Sequence, residues 1–421
     1  MAVEDIIIGR EPEDLKKYGK KGCIYIGKHV VGKGFDFNLT NPILMDVLRP
    51  HVILITGKRG SGKSYTSAVI AEEITKLPDE IRQNLSCLMI DTMGIFWSMK
   101  NPNDRQVIEL TEWGMKPKGF DIINIIPVGA KDFYDKYNIP YDGTFSVKPS
   151  ELSTADWALT FNINLFEPLG ILLERVIKGL SGRDFSIDEI IDAIEKDKRS
   201  DEKERLSLEN RFIAAKNWGI FSKESITIEK FLKPGAINVL DVSLQETNVR
   251  SLMIGILCRQ IYQVRVSSRR AEEISLMGGE ITQKVPMTWI TIDECHEYLP
   301  DSSITPATKD LLTLLKQGRQ PGVSLVLITQ RPNKIHDEAI SQADLVIAHR
   351  LTAKPDVEAL SAVMQTYLLS DIRKLMQQLP KNRGSALILD DNSERIFNLQ
   401  VRPRQSWHAG DSPVALKEKG S

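Results

Sequence analysis

One glycine-rich run has the residue types and the spacing that the phosphates of a nucleotide require. It consists of Gly57, Lys58, Arg59, Gly60, Ser61, Gly62, Lys63 and Ser64, and Tyr65 follows directly. Glycines at these positions let the backbone curl so that its N–H groups point inward at phosphate oxygens. In such a loop the lysine, Lys63, reaches the β- and γ-phosphates and the serine, Ser64, binds Mg²⁺. The run therefore predicts a phosphate-binding loop for a nucleoside triphosphate.

Two adjacent carboxylates, Asp293 and Glu294, follow the apolar stretch 288–292. If that stretch is a strand, both lie at its carboxyl end, where open α/β sheets bind their ligands. Asp293 could then hold the Mg²⁺ shell, and Glu294 could orient and deprotonate the attacking water. The pair could instead cap the next helix, but beside a complete phosphate loop we favour the catalytic interpretation. His296 could sense the state of the nucleotide or serve only the structure.

Two further polar residues flank the apolar run 323–329. Gln330 follows it, and an amide in that place could hydrogen-bond the attacking water or the γ-phosphate. Arg319 lies in the loop before the run, and we expect it at the strand edge where the nucleotide sits. A cation there would stabilise the charge that develops in phosphoryl transfer, often from a neighbouring subunit. From spacing alone, either residue could equally be an ordinary surface residue.

The hydrophobic pattern predicts the sheet that must position these residues. Short continuous apolar runs alternate with segments of helical periodicity, as in a parallel sheet whose strands are buried on both faces. The predicted strands are 51–56, 87–91, 119–128, 235–242, 287–293, 323–329, 345–348, 386–390 and 395–401. The predicted helices between them include 64–76, 249–266 and 306–317. The pattern is typical of an α/β fold with a mostly parallel sheet and helices on both faces.

Two segments depart from this alternation. Residues 1–50 are glycine-rich with short apolar pieces, which predicts a short β-rich segment before an ATPase domain at 51–413. The range 148–234 has helical periodicity and is interpreted as a helical insertion, with 195–209 as a solvated helix face or turn. Residues 414–421 are expected to form a loose tail.

The overall composition excludes several classes of protein. With 55 basic and 56 acidic side chains the net charge is −1, so any contact with nucleic acid must be local. The four cysteines are scattered and indicate neither a zinc site nor a disulfide framework, as in a protein with reduced thiols in the cytoplasm. No apolar run reaches the length of a membrane span, so we expect no membrane contact.

In combination, these motifs resemble the HerA-type ATPases of the FtsK–HerA group of ring-shaped DNA pumps, which have a RecA-like phosphate-loop fold. The resemblance covers most of residues 41–413, and its blocks occur in the family's order. These blocks are Arg49-Pro50-His51 with GKRGSGKSYT, TWITIDECHEYLP at 288–300, KQGRQPGVSLVLITQRP at 316–332, IAHRLT at 347–352 and VRPRQSWHAGDSP at 401–413. The block at 316–332 is the most specific of them.

The resemblance implies a homohexameric ring with ATP and Mg²⁺ between its subunits. Carried over by position, the residues of the nucleotide site are Lys63, Ser64, Asp293, Glu294 and Gln330. Arg319 matches the arginine lent to the neighbour's ATP, and Arg49 matches a second nucleotide-facing arginine. Asp91 resembles the acid after the second strand, although Thr92 replaces the proline that usually follows it. Residues 401–413 resemble a strap that lies over a subunit boundary.

The resulting hypothesis is an Mg²⁺-ATP-driven motor that moves double-stranded DNA through a central pore, in DNA-end processing, repair or phage defence. Lys100 and Arg105 are candidate pore residues, with Phe96 and Trp97 beside them as core residues. The family's N-terminal barrel, which docks a nuclease, is expected to be truncated or missing, so a nuclease partner does not follow from it. The alternatives are an ATP-gated ring scaffold that activates a partner effector, and a small-molecule phosphotransferase.

Overall fold

The computed structural model describes residues 4–34, 36–223, 228–279, 285–364 and 372–410. Its strands are β1 Ile6–Ile8, β2 Cys23–Lys33, β3 Asp36–Asp46, β4 Val52–Thr56, β5 Leu85–Asp91, β6 Ile122–Pro127, β7 Gly143–Phe145, β8 Ile237–Asp241, β9 Met287–Ile292, β10 Val323–Thr329, β11 Leu345–His349, β12 Ser385–Asp390 and β13 Arg395–Val401. Its helices are α1 Pro12–Tyr18, α2 Lys63–Ile74, α3 Asp79–Arg82, α4 Val107–Glu112, α5 Lys131–Lys136, α6 Thr154–Phe161, α7 Pro168–Leu180, α8 Ile187–Glu195, α9 Glu202–Lys216, α10 Ile228–Phe231, α11 Thr247–Leu276, α12 Thr308–Gln317, α13 Asp337–Ser341, α14 Lys354–Met364 and α15 Ile372–Gln378.

The described strands form one sheet in the order β1-β3-β2-β13-β12-β11-β4-β10-β9-β5-β8-β6-β7. From β11 to β7 every neighbouring pair is parallel. From β11 through β12, β13 and β2 to β3 the pairs are antiparallel. The predicted mostly parallel α/β fold is confirmed, and the β-rich N-terminal strands extend the same sheet.

The central strand β4 is buried on both faces because helices cover both sides of the sheet. Its alternate side chains enter two different cores, Val52 and Leu54 on one side and Ile53 and Ile55 on the other. Parallel strands with two covered faces are continuously apolar for this reason, which is the pattern that the sequence shows. The strand that carries the phosphate loop is thus fixed from both sides.

The helices α6 to α10 lie between β7 and β8, within the range predicted as a helical insertion. They pack around the fully buried ring of Trp157, and Arg259 of α11 ties this layer down through two bonds to Asp156, of 2.8 and 3.0 Å. The helix α11 is 30 residues long and extends beyond the predicted 249–266. Even so, neither it nor any other described helix is long and apolar enough to cross a membrane.

Candidate functional site

The carboxyl ends of β4, β10 and β9 meet at one edge of the sheet. In the sheet's register Thr56 lies opposite Thr329, and Leu327 lies opposite Ile292. The residues after these strands therefore leave the sheet together and border one cavity of about 910 Å³. The predicted site residues on its lining are Arg59, Gly60, Gly62, Lys63, Ser64, Tyr65, Asp293, Glu294 and Gln330. The structure thus brings the predicted loop, acids and amide into one place.

The phosphate loop has the conformation that only glycine provides at two of its positions. Gly62 has a φ of 114° and directly precedes α2, so the helix begins at Lys63. A Cβ atom at Gly57 would lie 2.6 Å from both His349 Cβ and Ser61 Oγ. The positive end of the α2 dipole therefore lies directly after the loop, where an anion is favoured.

The hydroxyl of Ser64 donates a hydrogen bond of 2.8 Å to a carboxylate oxygen of Asp293, whose other oxygen accepts from the N–H of Glu294 at 2.8 Å. This brings two hard oxygen donors together beside the phosphate loop, and such donors suit Mg²⁺. Lys63 Nζ lies nearby and donates to the carbonyl oxygen of Lys58 at 3.3 Å. Burial lowers the pKa of Lys63 and raises that of Asp293.

Glu294 is held in an uncommon conformation. Its φ is 47°, a left-handed value that costs a non-glycine residue on the order of 1–3 kcal/mol. Its Oε2 is buried without a hydrogen-bond partner among the described residues. Burial, reinforced by the charge of Asp293 and opposed by Lys63, raises the pKa of Glu294 to about 7. The geometry thus leaves one carboxylate oxygen of this cavity-lining residue without a hydrogen-bond donor among the described residues.

His296 lies beside the carboxylate of Glu294. Its Nδ1 lies 3.1 Å from the hydroxyl of Thr329 at the end of β10 and 3.5 Å from Glu294 Oε2. Burial and the charge of Arg331 lower the pKa of His296, so the ring is neutral near pH 7. These contacts favour the structural interpretation of His296 over a sensing role.

Arg319 lies at the opposite edge of the sheet, so the expectation that places it at the edge with the nucleotide is wrong. It precedes β10, and a strand enters a parallel sheet at the edge opposite to the one where it leaves. The length of β10 separates Arg319 from Gln330 by about 20 Å. The Arg319 guanidinium donates to the Gln342 carbonyl at 2.9 Å and lies 3.4 Å from the Asp344 carboxylate, with 46% of its side chain exposed.

Arg49 lies at the same edge of the sheet as Arg319, because it precedes β4. It makes a forked pair with Asp14, with N–O distances of 2.7 and 2.9 Å, and 61% of its side chain is exposed. Neither Arg49 nor Arg319 borders the cavity of its own subunit. Both arginines instead project from the edge of the sheet that faces away from the phosphate loop.

A buried ionic cluster lies behind the two arginines. His51 Nδ1 is 2.5 Å from the Asp344 carboxylate, and Nε2 is 3.4 Å from Asp46, which also pairs with Arg10. Burial alone would lower the pKa of His51, but its bonds to Asp344 and Asp46 outweigh burial and raise the pKa to about 9. The ring is therefore protonated at neutral pH and links the two aspartates.

This cluster predicts a loss of stability at alkaline pH. The folded-state pKa of His51 exceeds the unfolded value of 6.5. Its contribution to the free energy of unfolding is therefore complete below pH 6.5 and is lost as pH rises towards 9. We expect this loss to reach about 3 kcal/mol of the free energy of unfolding. Urea denaturation at pH 6, 7.5 and 9 measures it, and His51→Gln is the control because other groups titrate alike in both proteins. Equal pH slopes in the two proteins would contradict the prediction.

Asp91 has a structural role in this chain. Its carboxylate accepts four backbone N–H bonds of 2.7 to 3.1 Å from residues 93–96, and the side chain is fully buried. Burial, with the charge of the neighbouring Asp241, raises the pKa of Asp91 to about 7. The acid after β5 thus caps the turn that follows it.

The contacts of Lys100 and Arg105, the two candidate pore residues, argue against a place in the pore. Lys100 pairs with Asp142 at 2.8 Å, and the Arg105 guanidinium lies 4.4 Å from the ring centre of Trp407. Arg105 also borders the nucleotide cavity. The adjacent Phe96 is fully buried, as predicted for a core residue.

Sequence reasoning missed that the segment after β13 forms a second wall of the cavity. Arg402 and Arg404 are fully buried against Glu72 of α2, and Trp407 and His408 border the cavity. The described part of the strap, 401–410, therefore packs on the phosphate-loop helix of its own chain, while 411–421 lie outside the described residues. The arginines and aromatic residues in VRPRQSWH are the sequence signal that could have indicated this wall. Their partners lie about 330 positions earlier in the chain.

Comparison with known proteins finds a matching family and several relatives. The family described as "Helicase HerA, central domain" matches residues 24–261. The "DNA double-strand break repair helicase HerA" of Pyrococcus furiosus is 24% identical over 196 residues, 40% of this chain and 34% of that protein. The protein of the same name from Sulfolobus acidocaldarius is 23% identical over 423 residues, 96% of this chain and 74% of that protein. The first match thus spans about a third of that relative's length.

A solved structure supports the fold. VirB4 of Thermoanaerobacter pseudethanolicus superposes with a TM-score of 0.51 at 14% identity, covering 90% of this chain and 97% of that one. Because the family match extends over more than half of the chain and includes the phosphate loop, this protein belongs to the HerA helicase family.

Proposed function

We propose that this protein is a ring-forming motor that hydrolyses Mg²⁺-ATP and moves double-stranded DNA. The observation that carries the catalytic part is the convergence of Lys63, Ser64, Asp293, Glu294 and Gln330 on one cavity. Three separate strands deliver these residues to a single edge, which a chance match to a glycine-rich turn does not explain. The arrangement contains the groups that a phosphoryl-transfer site needs for binding, for water activation and for charge stabilisation.

Each residue has a role in the proposed reaction. The N–H groups of the phosphate loop and Lys63 bind the phosphates and offset their charge. Glu294, which borders the cavity, accepts a proton from the attacking water. Gln330 orients that water or the γ-phosphate from the end of β10.

The oxygen pair of Ser64 and Asp293 fits a magnesium ion. The two side chains already lie 2.8 Å apart, one is a hydroxyl and the other a carboxylate, and both border the phosphate loop. When bound there, Mg²⁺ neutralises charge on the β- and γ-phosphates. The proposed magnesium residues of this chain are therefore Ser64 and Asp293.

The proposed ring follows from the two arginines at the other edge. A transition state for phosphoryl transfer gains much from an added cation, and Arg319 is the arginine that the resemblance to the HerA-type ATPases matches to this role. Arg319 is half exposed and about 20 Å from its own cavity, so it can serve only the ATP of another subunit. Arg49 lies on the same edge and is proposed to face the same neighbouring nucleotide. A closed homohexamer would give every subunit such a neighbour.

The DNA substrate is proposed from the two relatives named above, both of which are described as DNA double-strand break repair helicases. A net charge of −1 is compatible with this substrate if DNA touches only a narrow ring of basic groups. The proposed setting is DNA-end processing, repair or phage defence, with a nuclease or another effector protein as partner.

The test of this proposal is the response of ATP hydrolysis to DNA. We expect linear duplex DNA to raise the steady-state rate of the assembled protein. The apparent affinity for DNA should fall steeply with salt because phosphate contacts release counterions. The rate is measured without DNA, with single strands and with duplex, and Lys63→Ala reports any contaminating ATPase.

Failure of this test would favour the alternative. An ATP-gated scaffold uses the same catalytic residues but responds to its partner effector rather than to DNA. Lack of stimulation by any DNA in a correctly assembled ring would therefore contradict the motor.

A further inference from the structure

The nucleotide cavity continues past the phosphate loop to a wall that binding of phosphate alone does not require. Its far side is built by the segments before β12 and after β13. The lining residues there include Arg383, Gly384, Gln400, Pro403, Trp407 and His408. A nucleoside triphosphate held at the loop must place its sugar and base within the remaining space.

The strap that forms this wall is fixed on the phosphate-loop helix by buried charges. Arg402 and Arg404 have no exposed surface, and Arg402 pairs at 2.8 Å with Glu72 of α2. Glu72 also accepts from the Ser406 hydroxyl at 2.6 Å and from its N–H at 3.0 Å. Buried charges are tolerated only when they are well paired, so this network specifies one position of the strap.

Three aromatic side chains, Tyr65, Trp407 and His408, border the cavity where the strap passes the loop. Tyr65 directly follows Ser64, and its hydroxyl accepts from the Arg404 N–H at 2.5 Å and donates to Gln106 at 2.9 Å. The ring of His408 stands edge-on to Tyr65, with 5.6 Å between ring centres. Trp407 directly precedes His408, and the guanidinium of Arg105 lies over the Trp407 ring. The rings are thus held in place and border the cavity.

We propose that Tyr65, Trp407 and His408 form the subsite for the nucleobase of the bound nucleotide. Aromatic side chains bind bases through their flat faces, and stacking of this kind contributes about 1–3 kcal/mol per base. The proposal rests on the proposed function, since it assumes that the phosphates lie at Lys63. It assigns the segment after the last strand to nucleotide binding within its own chain, in addition to any contact across a subunit boundary.

The proposal assigns the base and the phosphates of the nucleotide to different residues. It is therefore tested with one ligand that has both parts and one that has only the phosphates. ATP and inorganic tripolyphosphate are each competed against a fluorescent ATP analogue. In Trp407→Ala and His408→Ala we expect the affinity for ATP to fall by about fivefold or more, the lower end of the stacking range. The affinity for tripolyphosphate should stay within about twofold of wild type.

Two further variants make the result specific. Phe166→Ala removes an aromatic side chain that is 94% exposed, and it should bind both ligands as wild type does. Lys63→Ala should weaken the binding of both ligands. If the wild-type protein bound neither ligand, that result would contradict the proposed function itself. Thermal melting shows that each variant is folded, and His408→Ala carries the test if Trp407→Ala is not.

An equal loss of ATP and tripolyphosphate affinity in the strap variants would overturn the subsite. In that case the strap would only support the phosphate loop. Unchanged affinity for both ligands in folded His408→Ala and Trp407→Ala would overturn it as well.

Discussion

Arg319→Ala is expected to assemble and to bind ATP, yet to hydrolyse it about 10³ to 10⁵ times more slowly than wild type, the range that arginine fingers contribute. Arg319 is proposed to act mainly on the charge of the transition state, so nucleotide affinity should change little. The charge that develops on the transferred phosphoryl group would lose its stabilising cation, and the loss would fall on the rate of the chemical step. Steady-state hydrolysis, together with equilibrium binding of a fluorescent ATP analogue, measures the two effects separately.

The matched control is Lys316→Ala. Lys316 lies in the last turn of α12, three residues before Arg319, carries the same charge, and is 52% exposed in a pair with Glu338. Its removal should leave hydrolysis within a few-fold of wild type. Near-normal hydrolysis by Arg319→Ala, or an equal loss in both variants, would show that Arg319 has no special role in catalysis.

Glu294→Gln is expected to bind Mg²⁺-ATP and to hydrolyse it about 10² to 10⁴ times more slowly, the usual contribution of a general base. The amide preserves the size of the side chain but cannot accept the proton of the attacking water. A single-turnover measurement with bound, labelled ATP distinguishes slow chemistry from slow product release.

Glu297→Gln makes the same change at an exposed carboxylate on the same cavity. It should retain most of the activity because Glu297 follows the strand end by several residues and lies in a short helical turn. If Glu294→Gln were as active as Glu297→Gln, Glu294 would be a capping residue and the assignment of the base would be wrong.

The local parts of the site could be predicted because their signals are local. The spacing from Gly57 to Ser64 defines a loop, and an apolar run before Asp293 and Glu294 defines the strand that presents them. Parallel pairing then determines that both sets emerge at one edge of the sheet. The register of the observed strands agrees with that expectation.

The placement of Arg319 failed for a reason that the same geometry makes clear. Proximity to β10 in sequence does not imply proximity to the site, because the entry and exit of a strand lie about 20 Å apart. The pairs of His51 with Asp344 and of Arg402 with Glu72 were beyond reach because their members are 293 and 330 positions apart. Sequence patterns reveal which face a residue occupies, whereas buried ion pairs between distant segments depend on how the layers pack.

A mixing experiment tests most directly whether each ATP site is completed by a neighbouring subunit. Lys63→Ala and Arg319→Ala subunits, each expected to be inactive alone, carry different affinity tags, and rings that contain both are isolated by tandem purification. Wild-type subunits mixed with the Lys63→Ala/Arg319→Ala double variant calibrate the effect of inactive neighbours. We predict that the mixed rings regain a measurable part of the activity, because some interfaces unite an intact Lys63 with an intact Arg319. Mixed rings that stay as inactive as either parent, while the calibrating rings remain active, would contradict the account.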